Sequence, residues 1–269
     1  MQKTILITGA TDGIGLETSK ALVGLGHKLL LHGRNPAKLE AVSKDLSLLT
    51  AGGDNEYYVA DLSDMTEIET LAKAVAEKHA ALDVLINNAG VFRAPEPVLE
   101  NGLDVRFAVN TIAPYLLTQR LLPLLGTSGR VVNISSAAQS PVDPEALSGQ
   151  RELGEMAAYA QSKLALTMWS FELARKLGKK GPAIIAVNPG SMLGSKMVKV
   201  AYGVAGGDLR IGADILCRAA LMDEFAAASG QYFDNDTGQF ASPHPDALNP
   251  QKCEAIVRVI EGILAEIVR

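Results

Sequence analysis

Cysteine is nearly missing from this chain of 269 residues. The two present, Cys217 and Cys253, form no C-x-x-C and no metal-ligand spacing. That excludes a disulfide framework and points to a reducing, cytoplasmic setting. Histidine is sparse as well. His27, His32, His79 and His244 are scattered and read as structural or surface residues, so no metal site is expected. Positive charge is not in excess: 25 Lys and Arg face 30 Asp and Glu, a net charge of −5. Such a balance carries no electrostatic footprint for nucleic acid or an anionic membrane surface. Long hydrophobic runs are also lacking. Stretches such as "LLL" and "AIIAV" are far too short to span a bilayer. At the start, "MQKTILITGATDG" is interrupted by Gly, Thr and Asp before a leader could form, and "AEIVR" at the end is no lipidation signal. No linker, internal repeat or shift in composition divides the chain, so one domain over 1–269 is expected. A composition 48% hydrophobic and 20% charged is that of an ordinary globular protein.

What is present is a regular alternation. "TILIT" (4–8) reads as a buried strand and "GIGLETSKALVGLG" as a helix stopped at Gly26. "KLLLHG" (28–33) is a second strand. The helix after it starts with Asn35 as cap and Pro36 in the first turn. "EYYVA" reads as a strand, and "SDMTEIETLAKAVAEKHA" as an amphipathic helix with Ser63 as its cap. "LDVLIN" (82–87) is a strand, followed by a long helical stretch to about residue 125. "RVVNIS" (130–135) and "PAIIAVN" (182–188) are strands around a helix over 157–177, and a last amphipathic helix covers about 251–268. Strands that are near-continuous Val, Ile and Leu, alternating with helices, predict a parallel sheet covered on both faces. Two segments break the rhythm: a polar connection at 137–157 and a Gly- and Met-containing stretch at about 191–210. In such sheets ligands bind beyond the carboxyl ends of the strands, where long connections tend to be functional.

Several residues there carry chemistry. "TGATDGIG" (8–15) puts Gly9, Gly13 and Gly15 between a strand and a helix. Glycine permits a tight turn, and a helix N-terminus offers free N–H groups to a pyrophosphate. "AAYAQSKLAL" (157–166) puts Tyr159 and Lys163 four apart, hence side by side on one helix face. A cation beside a phenol favours the phenolate, which suits a general acid. A Tyr and Lys at this spacing arise by accident in about one chain in four of this composition. The remaining motifs therefore decide: "NNAG" (87–90), Asn110 in "FAVN", "NISS" ending at Ser135 and Ser136, and "NPG" (188–190).

Together and in this order, from Thr4 to about Gly190, these motifs resemble the short-chain dehydrogenase/reductase family. The resemblance implies a Rossmann-type doubly wound domain with a parallel sheet of about seven strands. It also implies NADP(H)- or NAD(H)-dependent hydride transfer between nicotinamide and a carbonyl or alcohol. Tyr159 would be the general acid/base, and Lys163 its partner and the ligand of the nicotinamide ribose. Ser136, rather than Ser135, would hold the substrate oxygen. Asn110 would link Lys163 to solvent through a water. Gly9, Thr11, Asp12, Gly13, Ile14 and Gly15 would line the cofactor phosphates, Asp61 and Leu62 the adenine. Asn88, Ala89 and Gly90 would pass the ribose, and Pro189 and Gly190 would lie under the nicotinamide.

Family members that prefer NAD place a carboxylate at the end of the second strand. Here Gly33 stands there, followed by Arg34, whose guanidinium suits a 2′-phosphate, so NADP(H) is expected. Asp12 opposes this, because many NADP-users carry a base at that position. The long connection between Ser136 and Tyr159 resembles the retinol-dehydrogenase-like branch and implies an apolar aldehyde or ketone. The hydroxyl expected four residues past Gly190 is replaced by Gly194, with Ser195 next. The segment from Ser191 to about Gly207 is expected to be a lid, with Met192, Leu193, Met197, Val198 and Tyr202 covering an apolar substrate. Members often associate through the two long helices, here about 110–125 and 157–177, so a dimer or tetramer is possible. A non-catalytic NADP(H)-binding regulator of the same fold is the alternative.

Overall fold

The computed structural model describes residues 1–49 and 55–268. Its first half follows the alternation read above. Strand β1 (Thr4–Ile7) leads into helix α1 (Gly13–Gly24), then β2 (Lys28–Gly33) and α2 (Pro36–Ser47). Next come β3 (Glu56–Val59), α3 (Met65–Lys78) and β4 (Leu82–Asn87). The cap of α3 is Asp64, not Ser63. The hydroxyl and N–H of Ser63 both bond Asp61 Oδ1, at 2.7 and 2.9 Å, so Asp64 is left to accept from Thr66 N–H.

The helical stretch after β4 is broken where a continuous helix was expected. Helix α4 (Val105–Phe107) passes into a π-helical turn (Ala108–Ile112) and then α5 (Ala113–Leu121). Pro114 is the cause: it has no N–H to return to the carbonyl of Asn110, four residues earlier, and the turn widens around that gap. A 3-10 turn (Leu122–Leu124) then leads into strand β5 (Leu125–Ile134). The polar connection holds a short helix, α6 (Pro144–Leu147), and α7 (Glu155–Leu177) carries Tyr159 and Lys163. After β6 (Ala183–Asn188) come α8 (Lys196–Tyr202) and α9 (Leu209–Leu221). A hairpin of β7 (Gln231–Asp234) and β8 (Gln239–Ala241) precedes the C-terminal helix α10 (Pro250–Ile267).

The sheet has eight strands in the order β3-β2-β1-β4-β5-β6-β7-β8. About seven parallel strands were expected; the addition is β8, which pairs antiparallel with β7. A two-stranded hairpin has no crossover helix and leaves only a short apolar signal, which is why it was not legible. Alternate residues of each strand feed opposite cores, as the pleat requires. Leu6, Leu30, Leu85, Val131 and Ile184 pack under α3, α5, α7 and α10. Ile5, Leu31, Ile86, Val132 and Ile185 pack under α1 and α9. The strand order reverses between β1 and β4, which opens a crevice at their carboxyl ends. Among the described residues no helix is long and apolar enough to cross a membrane.

Candidate active site

Four strand ends frame the crevice. At the end of β1, Gly9 has φ +68° and Gly13 φ +55°, so the chain can turn back on itself before α1. Asp12 caps α1, accepting from Gly13 N–H at 2.8 Å. Gly15 is required by space: a Cβ there would lie 2.2 Å from the Gly9 carbonyl oxygen. His32 in β2 braces the turn from below. Its Nδ1 accepts from Gly9 N–H at 3.4 Å while Nε2 donates to the Ala60 carbonyl at 3.0 Å, and burial pushes its pKa down to about 4. The ring is therefore neutral.

The end of β4 is fastened to the same turn. Asn88 Nδ2 donates to the Thr8 and Gly9 carbonyls at 2.9 and 3.2 Å, and the N–H groups of Asn88 and Ala89 bond Thr8 Oγ1. Gly90 lies against the heart of the site. A Cβ at Gly90 would stand 3.4 Å from Asn110 Oδ1 and 3.5 Å from Lys163 Nζ. Asn110, in the π turn, is fully buried and fully engaged. It accepts from Val91 N–H at 2.8 Å and donates to the Val91 carbonyl and to Ser162 Oγ. Ser162 in turn donates to the Tyr159 carbonyl at 2.7 Å, so the π turn and the Tyr helix are locked in register.

Lys163 is buried, and its Nζ donates to the Ile134 carbonyl at the end of β5, 2.7 Å away. Desolvation pushes its pKa down to about 8. The ammonium lies 5.8 Å from the centroid of the Tyr159 ring. Phe92 meets that ring edge-on at 5.0 Å. The carbonyl of Phe92 accepts from Arg106, a buried guanidinium paired with Asp104 at 2.6 Å. The two serines of "NISS" differ sharply. Ser135 is buried, with its hydroxyl 2.7 Å from Thr167 Oγ1. Ser136 is half-buried; its Oγ accepts from Ala138 N–H, and among the described residues its O–H has no acceptor.

At the end of β6, the turn Pro189–Gly190–Ser191 is fixed by the β7–β8 hairpin. Asn235 donates to the Pro189 carbonyl at 3.0 Å, and Asp236 accepts from Ser191 N–H at 2.7 Å and from Ser191 Oγ and Asn188 Nδ2. These residues were missed in the sequence, since nothing local ties positions 234–236 to position 189. The Asn87–Asn133 pair was missed too. Asn87 Nδ2 reaches Asn133 Oδ1 at 2.8 Å, and Asn133 passes the chain of bonds to Ser170 of α7. Asparagines at the ends of the apolar runs of two strands were the available signal. Asp61 and Leu62 lie past β3, farther along the same edge. Asp61 is held by Ser63 and Glu67, while Leu62 is buried. Arg34 is exposed, and among the described residues it has no hydrogen-bonded or ionic partner.

The 191–207 segment is not an open loop. Its base is clipped by Gly194 N–H to the Gly207 carbonyl at 2.7 Å and Gly207 N–H to the Met192 carbonyl at 2.8 Å. Between the clips α8 is capped by Ser195 and stopped at Gly203, φ +69°. Leu193, expected to face a substrate, is buried instead against Gly190 and Gly212, because the clip turns it inward. Met197 does reach the site: its Cε lies 3.9 Å from the Cβ position of Gly90. Met192 and Val198 are exposed and half-buried, and the side chain of Tyr202 lies outside the described residues. A cavity of about 510 Å³ between the end of α7 and the start of α10 is lined by Glu172, Arg175, Gly230, Leu248 and Cys253; it shares no residue with this site.

A doubly wound sheet with a glycine-rich first turn, and with a Tyr, a buried Lys and a Ser at its carboxyl edge, defines a Rossmann-type oxidoreductase. The chain belongs to the short chain dehydrogenase family, whose model matches residues 3–202. It is 33% identical to human retinol dehydrogenase 13 over 251 residues, covering 86% of this chain and 76% of that one. Human polyprenol dehydrogenase is 35% identical over 198 residues, covering 70% of this chain and 60% of that one. Its sequence thus lies in the retinol-dehydrogenase-like branch. A crystal structure of an uncharacterized protein from Mycobacterium paratuberculosis superposes with a TM-score of 0.80 at 27% identity, over 97% of this chain and 93% of that chain. A short chain dehydrogenase from Burkholderia cenocepacia, solved in complex with NADP, gives a TM-score of 0.71 at 25% identity, over 88% and 97%.

Proposed function

We propose that this protein is an NADP(H)-dependent oxidoreductase acting on an apolar alcohol or its aldehyde or ketone. One observation carries the reading: a buried ammonium, Lys163, stands beside the Tyr159 ring, with Gly90 leaving it open toward the crevice. An ammonium is costly to bury and survives where it has work on a ligand. The cofactor class fits the residues present. Free N–H groups at the start of α1 suit a diphosphate, and any side chain at position 90 would crowd the ammonium that is to meet a ribose. The solved relative bound to NADP and the exposed Arg34 both support the 2′-phosphorylated form.

When bound, the nicotinamide gives or takes the hydride. Tyr159 gives its phenolic proton to the carbonyl oxygen in reduction and takes it back in oxidation. Lys163 stabilises the phenolate left behind and donates to the ribose hydroxyls, giving up the Ile134 carbonyl as it does so. Ser136 donates its uncommitted O–H to the substrate oxygen. Asn110 holds the π turn against Val91 and α7, and through a water it connects Lys163 to solvent for proton supply. Residues 191–210 are the substrate loop of a single domain, with Phe92 and Met197 as apolar walls. Retinol and polyprenol, for which two relatives are named, are apolar alcohols, and an apolar wall favours that class.

The test is a turnover panel with NADPH or NADP, setting long apolar alcohols and aldehydes against sugar phosphates of similar size. The apolar set is expected to win. Tyr159→Phe is expected to lose about 10²–10⁴-fold in kcat while keeping its affinity for NADPH. A variant with a third of wild-type kcat would remove Tyr159 from the reaction, and preference for a sugar phosphate would remove the apolar pocket.

A further inference from the structure

Asp12 stands where an NADP-binding turn commonly carries a base, yet it is not left as a bare negative charge. Lys196, the first residue of α8, reaches back across the crevice and pairs with Asp12 Oδ2 at 2.5 Å. Its neighbour Ser195 lies against Gly13, with 3.8 Å between its Cβ and the Cβ position there. The far end of α8 is held separately: Arg93, itself paired with Glu155 at 3.1 Å, donates to the Val200 carbonyl at 3.0 Å. Helix α8 is thus a strap fixed at both ends over the crevice. The adenosine end of the turn is close by. A Cβ on Gly33 would lie 3.0 Å from Thr11 Cγ2, so Thr11, next to Asp12, abuts the end of β2, where Arg34 follows, without a hydrogen-bonded or ionic partner among the described residues.

We propose that Lys196 supplies, from the strap, the second positive charge for a 2′-phosphate beside Arg34, so that α8 takes part in choosing NADPH over NADH. This rests on the NADP(H) reading above and deepens it. The pair is exposed, with 71% of the Lys196 side chain and 52% of Asp12 open to water. Exposed pairs contribute little, so a phosphate dianion can share or take the ammonium at small cost. Asp12 keeps it in place meanwhile. The Asp12 carboxyl is held below the usual range chiefly by its hydrogen bond to Lys196 and least by Lys38, which adds to the positive side of the balance. Among the described residues, an anion arriving here meets Lys38 and Lys196 beside Arg34, against Asp12 and, farther along the edge, Asp61. A lysine on the strap thereby replaces the base missing from the turn.

The experiment measures binding without turnover. Dissociation constants for NADPH and NADH are compared in the wild type, Lys196→Met, Lys196→Arg and Arg34→Ala. Lys196→Met is expected to weaken NADPH about tenfold and NADH less than about twofold, with Lys196→Arg restoring NADPH, as the loss of one charge-assisted contact implies. Hydrogen exchange over 193–207 is expected to slow with adenosine 2′,5′-bisphosphate in the wild type but not in Lys196→Met, and not with adenosine 5′-monophosphate in either. Equal weakening of NADPH and NADH would move Lys196 to the diphosphate and overturn the proposal. So would an unchanged NADPH constant in Lys196→Met while Arg34→Ala loses the preference, which leaves the NADP(H) reading standing. Equal affinities in the wild type would remove both.

Discussion

Replacing Lys163 by Met should make the protein more stable at neutral pH and inactive. The ammonium is buried with the Ile134 carbonyl as its hydrogen-bond partner, and desolvation brings its pKa from 10.5 to about 8. At 1.36 kcal/mol per unit, the charged form costs the folded state about 3 kcal/mol at pH 7. Met removes that cost but leaves the carbonyl without its donor, worth about 1–3 kcal/mol. The net gain is therefore about 1 kcal/mol, or about 2–4 °C in Tm for a domain of this size. The pH dependence is the sharper readout. Between pH 8 and 10.5 the unfolded chain keeps the Lys163 proton and the folded chain has lost it. The unfolded state then binds more protons, so wild-type stability rises with pH through this window, while Lys163→Met lacks that term. Denaturant titrations of both proteins at pH 7 and pH 9.5 should show the wild type gaining about 2 kcal/mol relative to the variant. A constant difference across that range would refute the buried ammonium. Cofactor affinity runs the other way. Without its charge Lys163 keeps two N–H donors but gives the ribose a weaker hydrogen bond, so NADPH should bind more weakly as pH rises past about 8, and only in the wild type.

His32 offers a test on the acid side. Its folded pKa of about 4 lies below the usual 6.5, so stability should fall by up to about 3 kcal/mol as pH drops through that interval, where only the unfolded chain takes the proton. A ring titrating near 6.5 by NMR would contradict its place between Gly9 and Ala60. Gly33→Asp should not convert the enzyme to NADH by itself. The new Cβ would meet Thr11 Cγ2 at 3.0 Å and Leu39 at 3.3 Å, an overpacking cost of about 1–3 kcal/mol. Adding Thr11→Ser, which removes that methyl, should recover stability in thermal melts, and a single variant as stable as the wild type would show the crowding is not real.

The sequence by itself determined the alternation of strand and helix, the parallel sheet, the glycine-rich turn and the Tyr159–Lys163 pair. Each is written in spacing that the backbone obeys locally: near-continuous apolar runs for strands buried on both faces, four residues for neighbours on a helix. The family resemblance also singled out Ser136 over Ser135; in the structure the Ser135 hydroxyl is buried against Thr167, while Ser136 is half-buried. Tertiary structure decided what depends on residues far apart in the chain. The hairpin at 231–241 fixes the Pro189 turn through Asp236 and Asn235, across more than forty positions that carry no common pattern. The buried state of Lys163 follows from β5 and the π turn closing over α7, not from any property of "YAQSK". Leu193 points inward because the clip between Gly194 and Gly207 sets its direction. And Asp12, which in the sequence opposes an anionic ligand, meets Lys196 only because α8 folds back over the crevice. Periodicity reports which face of an element is buried; only packing reports which charges end up side by side.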